Sequence, residues 1–219
     1  MEKYKIIYED SFLYVIWKAS GLPVQSARAC VPDLMSMLRN RLLEKGVNAP
    51  YLAPVNRLDQ PVEGLLLVAA EEGAAADLSR QAAGHIHMEK WYQALVCGKP
   101  AEKKGKLVDY LRKDGRTNTS RVVSEGTKDA KRCELSYEVQ EEQGETSLLR
   151  IRLLSGRHHQ IRVQLAHAGM PIAGDRKYGG ADDGYRQLCL CACETAFVHP
   201  HTEERMRFRV APSFLDDRK

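Results

Sequence analysis

Most apolar positions in this chain fall into short alternating or continuous runs, and only three stretches carry a helical rhythm. Residues 4–8 and 12–17 read as two strands joined through Glu9-Asp10-Ser11, and Ser20-Gly21-Leu22-Pro23 closes them with turn chemistry. Residues 64–70 form a short apolar run between a glycine and two acids, the pattern of a buried strand. Trp91 to Gly98 alternates, as do 135–139 and 147–153, a strand pair joined through Glu141 to Glu145. Leu188 to Cys193 and Arg205 to Val210 close the series as strands. Helical spacing appears over 32–44, with Pro32-Asp33 as its start, over 74–83, and over 160–168 ahead of Gly169. Many strands and few helices predict an α+β domain built on a largely antiparallel sheet. No repeat, low-complexity tract or linker interrupts it, so the 219 residues are expected to form a single domain over 1–219.

Composition narrows the class. A hydrophobic fraction of 43% and a charged fraction of 28% are those of a soluble globular protein rather than a disordered chain. No apolar run approaches the roughly 20 residues of a membrane helix. Met1-Glu2-Lys3-Tyr4-Lys5 lacks an apolar leader core, so a cytoplasmic protein is expected, with no membrane partner. In a reducing compartment its six cysteines are expected to stay unpaired. Cys189, Cys191 and Cys193 alternate along a strand, which suits small buried hydrophobes better than the turn-borne pairs of a zinc site. His85, His87 and His201 have no ligand partners nearby and read as surface or structural residues.

Charge is unevenly spread. The whole chain carries +4, yet residues 99–132 hold eleven basic and five acidic side chains, a local +6 that leaves −2 for the rest. With Gly, Thr, Ser and Asn between Asp114 and Ser120, this segment reads as an exposed loop or hairpin tip that attracts a polyanion, with Lys103, Lys104 and Lys106 among its contacts. The bland alternative is a solvated face.

Two segments carry the candidate chemistry. Asn56-Arg57-Leu58-Asp59 stands just before the buried strand at Gly64, and Ser155-Gly156-Arg157-His158-His159-Gln160-Ile161-Arg162 follows a hundred residues later. Asp59 and Arg162 are the natural partners: burial alone would protonate a carboxylate, while a neighbouring arginine keeps it ionised and nucleophilic. An ordinary buried ion pair is the alternative.

These segments resemble the RluA-type RNA pseudouridine synthases of bacteria. Arg57-Leu58-Asp59 with Gly64-Leu65-Leu66 matches the family's first signature. Lys90, Tyr92, Ala94, Val96 and Gly98 match its second, and Ser155-Gly156-Arg157-His158-His159-Gln160-Ile161-Arg162 its third. Gly169 to Asp175, Tyr178-Gly179, His199-Pro200 and Lys18 to Leu22 also fit, so the likeness runs from about residue 6 to about residue 214. It implies the pseudouridine synthase fold, a mixed, mainly antiparallel sheet with flanking helices and loops around a central RNA-binding cleft. It implies an isomerase that detaches a uracil in rRNA or tRNA, turns it and rejoins it through C5, with no cofactor and no metal. Asp59 falls on the nucleophile and Tyr92 on the tyrosine that packs against the base. Arg162 falls on the partner of the aspartate, Ile161 on the pocket lining, and Arg57 on the side chain that fills the gap left by the flipped uridine. Arg157, His159 and Lys177 are further candidates for phosphate contact. No room is expected for a preceding small RNA-binding module, so the basic segment is the expected RNA surface and a monomer the expected state.

The chain departs from the pattern at Asn56, where the family has histidine, at Pro61-Val62-Glu63, where it has Thr-Ser before the glycine, and at Cys191, where it often has histidine. Glu63 is expected to bring a negative charge near an RNA-facing loop, weakening phosphate contacts or retuning which RNA is accepted. These departures motivate an alternative reading, a non-catalytic RNA-binding protein on the same scaffold. A carboxylate-dependent glycosidase is poorer, since such enzymes need two cooperating carboxylates and Glu63 has no family precedent in that role.

Overall fold

The computed structural model describes residues 2–26, 31–84, 87–179 and 184–216; Cys30 and His85 lie outside them. In chain order the elements are β1 (Tyr4–Glu9), β2 (Leu13–Lys18), α1 (Leu34–Glu44), β3 (Ala53–Pro54) and β4 (Glu63–Ala69). Then come α2 (Glu72–Gly84), β5 (Glu89–Cys97), β6 (Lys104–Asp114), β7 (Thr119–Val123), β8 (Lys131–Gln143) and β9 (Thr146–Leu153). The series ends with α3 (Gln160–His167), β10 (Leu190–Val198), β11 (Arg205–Arg209) and a 3-10 turn at Ser213–Leu215. The α+β reading holds, and each predicted strand and helix has a counterpart. No helix among the described residues is long and apolar enough to cross a membrane.

The chain divides into two compact units, residues 1–90 with 191–219, and residues 91–190. In the first, β1, β2 and β4 pair antiparallel in sequence. β10 joins β4 in parallel, Cys191 opposite Glu63 and Ala192 opposite Gly64, and β11 pairs with β10. All seven residues of β4 are buried. Its Leu65, Leu67 and Ala69 pack with Leu13, Val15 and Phe197 and with Ala74 and Leu78 of α2. Asp33 caps α1 by accepting the Ser36 N–H at 2.8 Å, which is why that helix starts where the Pro-Asp step predicts. Cys189, Cys191 and Cys193 are buried thiols.

In the second unit five antiparallel strands run in the order β5, β9, β8, β6, β7. Leu111, Cys133 and Val163 of α3 form a small core there, with Val122 and Tyr178 packed against it. The segment 99–132 carries the expected hairpin tip at residues 115–118, but most of it is strand: it builds β6 and β7 and enters β8.

Candidate active site

Asp59 sits on a turn closed by the Val62 N–H donating to the Asp59 carbonyl at 3.0 Å. That turn is fastened from behind by the segment that follows β2. Gly21 N–H donates to the Gln60 carbonyl at 2.9 Å, and the Gln60 amide returns a bond to the Gly21 carbonyl at 3.0 Å. Ser20 Oγ donates to the Pro61 carbonyl at 2.8 Å. Lys18, 0% exposed, sends its ammonium to the carbonyls of Ala19, Leu22 and Gln60 at 3.0, 2.8 and 3.2 Å. Burial pulls the Lys18 pKa down to about 8, against the opposing pull of the Asp59 and Glu63 charges. An ammonium has three N–H donors and here finds three carbonyls, so its hydrogen-bonding is complete. Arg57, two residues before Asp59, is exposed.

The departures from the family pattern have local structural explanations. Asn56 Oδ1 accepts the Leu67 N–H of β4 at 2.8 Å and so ties to β4 the segment that leads from β3 into the Asp59 turn. Glu63 does not face a loop. It is 1% exposed, and its carboxylate accepts the N–H of Ser213 at 2.8 Å and the Oγ–H of Ser213 at 2.5 Å. Burial pushes its pKa up, opposed by the Ser213 bonds, the Phe214 N–H and the Lys18 charge. The expectation that Glu63 weakens phosphate contacts is corrected, because a group sealed from solvent and bonded to Ser213 meets no phosphate. Gly64 follows with φ +119°, and a Cβ there would run into the backbone of Ala192 on β10. Gly64→Ala is expected to cost about 1–3 kcal/mol from the backbone conformation alone and more from the clash. A denaturant titration checks this; an unchanged midpoint contradicts it.

The second unit holds Tyr92, Ile161 and Arg162. Tyr92 lies on β5 opposite Ile151 and is 7% exposed; Ile161 and Arg162 lie in the first turn of α3, each 5% exposed. The start of α3 is tied to β8 through Gln160. Its amide donates to the Glu134 carbonyl at 3.0 Å and to Gln164 at 2.9 Å, while its oxygen accepts from Ser155 Oγ at 2.8 Å and from Arg157 N–H at 3.0 Å. Gln164 in turn donates to Asp109 of β6 at 2.8 Å. Arg162 forms a two-pronged bond with Asp175, Nε to Oδ2 at 2.8 Å and Nη2 to Oδ1 at 2.7 Å, and its guanidinium lies 5.1 Å from the centre of the Tyr178 ring. Burial raises the Asp175 pKa, but the Arg162 bonds and charge and the Lys177 and Tyr178 N–H groups outweigh it and hold the carboxyl below its ordinary range.

His159 is buried, in a left-handed conformation with φ +54°, stacked 3.7 Å from His158 and bonded to the Tyr178 hydroxyl at 2.7 Å. Burial, with Arg162, His158 and Lys177 adding to it, drives its pKa down to about 3. It is neutral at physiological pH and brings no charge to a phosphate; its visible work is to place Tyr178. The unfolded imidazole takes its proton near pH 6.5 and the folded one only near 3, so stability present above 6.5 is lost as pH falls toward 3. From pH 7 to pH 5 the wild type is expected to lose about 2 kcal/mol more than His159→Asn, a replacement that tolerates the left-handed backbone. Chemical unfolding at the two pH values measures the difference, and equal losses contradict it.

Lys103, Lys104 and Lys106 are exposed but paired, with Glu142, Glu138 and Glu134 of β8 at 2.7, 2.7 and 2.5 Å. The +6 segment ends just before these acids, so the sheet face is more balanced than the segment. Exposed pairs of this kind are worth about 0–1 kcal/mol and exchange readily for another anion. Arg157 is exposed, its Nε donating to the Arg132 carbonyl at 3.2 Å, and Lys177 reaches the Asn118 carbonyl at 2.9 Å. Among the described residues, no cluster of His, Cys, Asp and Glu suits a metal ion. His201 stacks on Phe12 with ring centres 4.3 Å apart, and the His87 carbonyl accepts from Arg205.

The family model for RNA pseudouridylate synthase matches residues 13–167. The chain belongs to the RNA pseudouridylate synthase family. It is similar to the ribosomal large subunit pseudouridine synthase C of Yersinia pestis, 33% identical over 209 residues that cover 92% of this chain and 63% of the relative. The protein of that name from Escherichia coli O157:H7 is 34% identical over 221 residues, 97% of this chain and 66% of the relative. The chain thus spans slightly under two thirds of these relatives. Among solved structures, human RNA pseudouridylate synthase domain containing 1 superposes with a TM-score of 0.79 at 23% identity, covering 98% of this chain and 85% of the other. Human RNA pseudouridylate synthase domain containing 4 gives 0.78 at 23%, covering 96% and 90%. At that identity they establish the pseudouridine synthase fold.

Set in this pseudouridine synthase fold, Asp59 and Arg57 belong to the first unit and Tyr92, Ile161, Arg157, His159 and Arg162 to the second. Sequence reasoning assigned no role to Lys18, Gln160 or Ser213, and named Asp175 and Tyr178 only as part of the family match. Lys18 had one readable signal, a lysine ending an otherwise apolar strand.

Proposed function

We propose that this chain is an RNA pseudouridine synthase that isomerises uridines within structured RNA, with Asp59 as nucleophile. Family membership, with Asp59 on a firmly held turn, supports this reading most directly. The relatives' names point to ribosomal large-subunit RNA as the substrate class. The two units act as one catalytic domain, in the cytoplasm and as a monomer, with no cofactor or metal in the chemistry.

In this mechanism the target uridine leaves its stack at a cost of a few kcal/mol, and Arg57 stacks in the vacancy to offset part of it. Asp59 attacks the nucleotide, Tyr92 packs against the detached base and assists loss of its C5 proton, and Ile161 lines the pocket. Arg162 contributes a guanidinium whose fork is fixed by Asp175. Arg157, Lys103, Lys104 and Lys106 take phosphates, the lysines by exchanging their glutamate partners for the RNA backbone. His159 stays neutral and orders Tyr178.

The non-catalytic alternative drew its support from Asn56 and Pro61-Val62-Glu63. Asn56 now has a backbone partner on β4, Val62 closes the Asp59 turn and Glu63 holds Ser213, so these substitutions refit the scaffold and leave the carboxylate in place. The test is pseudouridine mapping across cellular RNA with and without this gene. At least one site is expected to vanish with the gene and return with it; an unchanged map contradicts the proposal.

A further inference from the structure

We propose that Tyr178 is a positioning residue that couples the β6–β7 hairpin to Arg162, so that RNA phosphate held on the hairpin sets the Arg162 guanidinium. This rests on the reading of the chain as an RNA pseudouridine synthase with Arg162 at its active site. Hydrogen bonds within one compact unit join Tyr178 to both ends of the path.

At the hairpin end, the Ser120 N–H of β7 donates to the Tyr178 hydroxyl at 2.9 Å. The same hydroxyl meets His159 Nδ1 at 2.7 Å. A hydroxyl has one donor and two acceptor sites, so it makes both bonds at once. A second strut runs beside the first, between Ser120 Oγ and His158 Nδ1 at 2.9 Å. Lys177 Nζ adds a third tie, to the Asn118 carbonyl at 2.9 Å. The chain where it passes from the hairpin tip into β7 is thus fastened to the start of α3 and to Tyr178.

At the other end, Asp175 Oδ1 accepts both the Tyr178 N–H at 3.1 Å and Arg162 Nη2 at 2.7 Å. The Tyr178 ring centre lies 5.1 Å from the Arg162 guanidinium. Tyr178 therefore braces Arg162 twice, through the shared carboxylate and through its ring. A shift of β7 against α3 moves or breaks a bond to the residue that does the bracing.

The hairpin also carries a charge arrangement that asks for an anion. Arg112 and Arg121 are direct partners across β6 and β7, on the face away from the Ser120 side chain. Like charges directly opposite one another destabilise a sheet pair. Neither arginine forms an ion pair among the described residues, whereas Lys103, Lys104 and Lys106 each have a glutamate. Asp114, on the same face, is turned into the tip, where it accepts the Arg116 and Thr117 N–H groups at 2.9 and 3.4 Å. A phosphate spanning the two guanidiniums removes the repulsion and matches their planar donor forks. Such a grip orders β7, and Ser120 carries that order to Tyr178.

The experiment measures kcat and KM on ribosomal RNA for wild type, Tyr178→Phe, the pair variant Arg112→Gln with Arg121→Gln, and all three changes together. Tyr178→Phe keeps the ring and loses only the hydroxyl, so kcat is expected to fall by about tenfold with KM within about twofold. The pair variant is expected to raise KM by about tenfold and to lower kcat by about fivefold. In the combination KM rises as in the pair variant, but kcat falls no further than in Tyr178→Phe, because the coupling is already cut. Losses in kcat that multiply to about fiftyfold show independent effects and overturn the proposal. So does a Tyr178→Phe protein that melts lower yet keeps kcat within about twofold of wild type, or a pair variant with unchanged kcat. If Tyr178→Phe does not fold, Ser120→Ala replaces it. That variant removes the His158 strut alone, so kcat is expected to fall by about threefold; unchanged kcat overturns the proposal. Wild type that forms no pseudouridine overturns instead the enzymatic reading on which it rests.

Discussion

Asp59→Asn is expected to abolish pseudouridine formation, by about 10⁴-fold or more, while RNA affinity stays within about twofold. The two side chains are nearly the same size. The turn is held by backbone groups of Asp59, Gln60 and Pro61 and by Lys18, Ser20 and Gly21, none of which the substitution removes. What changes is nucleophilicity, since an amide does not attack where a carboxylate does. Turnover on ribosomal RNA and a filter-binding titration, measured side by side, separate the two effects. A variant that keeps more than a tenth of wild-type turnover contradicts the role of Asp59, and one that loses binding in parallel shows damage to the turn.

The second large effect is on stability. Arg162→Met leaves Asp175 buried, ionised and without its fork, with side-chain exposures of 6% and 1% for the original pair. Breaking such a pair costs about 3–5 kcal/mol, which in a protein of this size lowers the melting temperature by roughly 10 °C. Arg162→Lys recovers only part of the loss, because a point ammonium does not reproduce two parallel bonds. The double variant Arg162→Met with Asp175→Leu, which removes both charges, is expected to melt above either single variant. A single variant melting within 2 °C of wild type contradicts the account of the pair.

How much of this was legible in the sequence depends on the range of each interaction. β4 was readable because seven buried residues in a row leave no alternative pattern, and α3 because its period ends at a glycine with φ +76°. β6 was misread for a physical reason. Its outward face is Lys104, Lys106, Val108, Tyr110 and Arg112, and its inward face includes Leu107, Asp109 and Leu111, so charge hid the alternation. The acids that balance those lysines come from β8, where local charge counting does not reach.

The site was half legible. Motif spacing marks Asp59, Tyr92 and Arg162, but nothing local says which acid an arginine meets. Asp175 lies thirteen residues from Arg162, and Ser213 lies 150 residues from Glu63. Read alone, Glu63 is a stray charge next to the Asp59 turn. Packed, it is a buried acceptor for the C-terminal turn. Lys18 shows the same limit: its place at a strand end is visible, and its three carbonyl partners are not.

The most direct measurement of the central claim is tritium release from ribosomal RNA transcribed with uridine labelled at C5. Joining the ribose to C5 expels the hydrogen there, so each turnover frees one label to water. The account predicts stoichiometric release from a defined uridine with the wild-type protein and none with Asp59→Asn. No release from wild type on RNA that it binds, or equal release from both proteins, would contradict it.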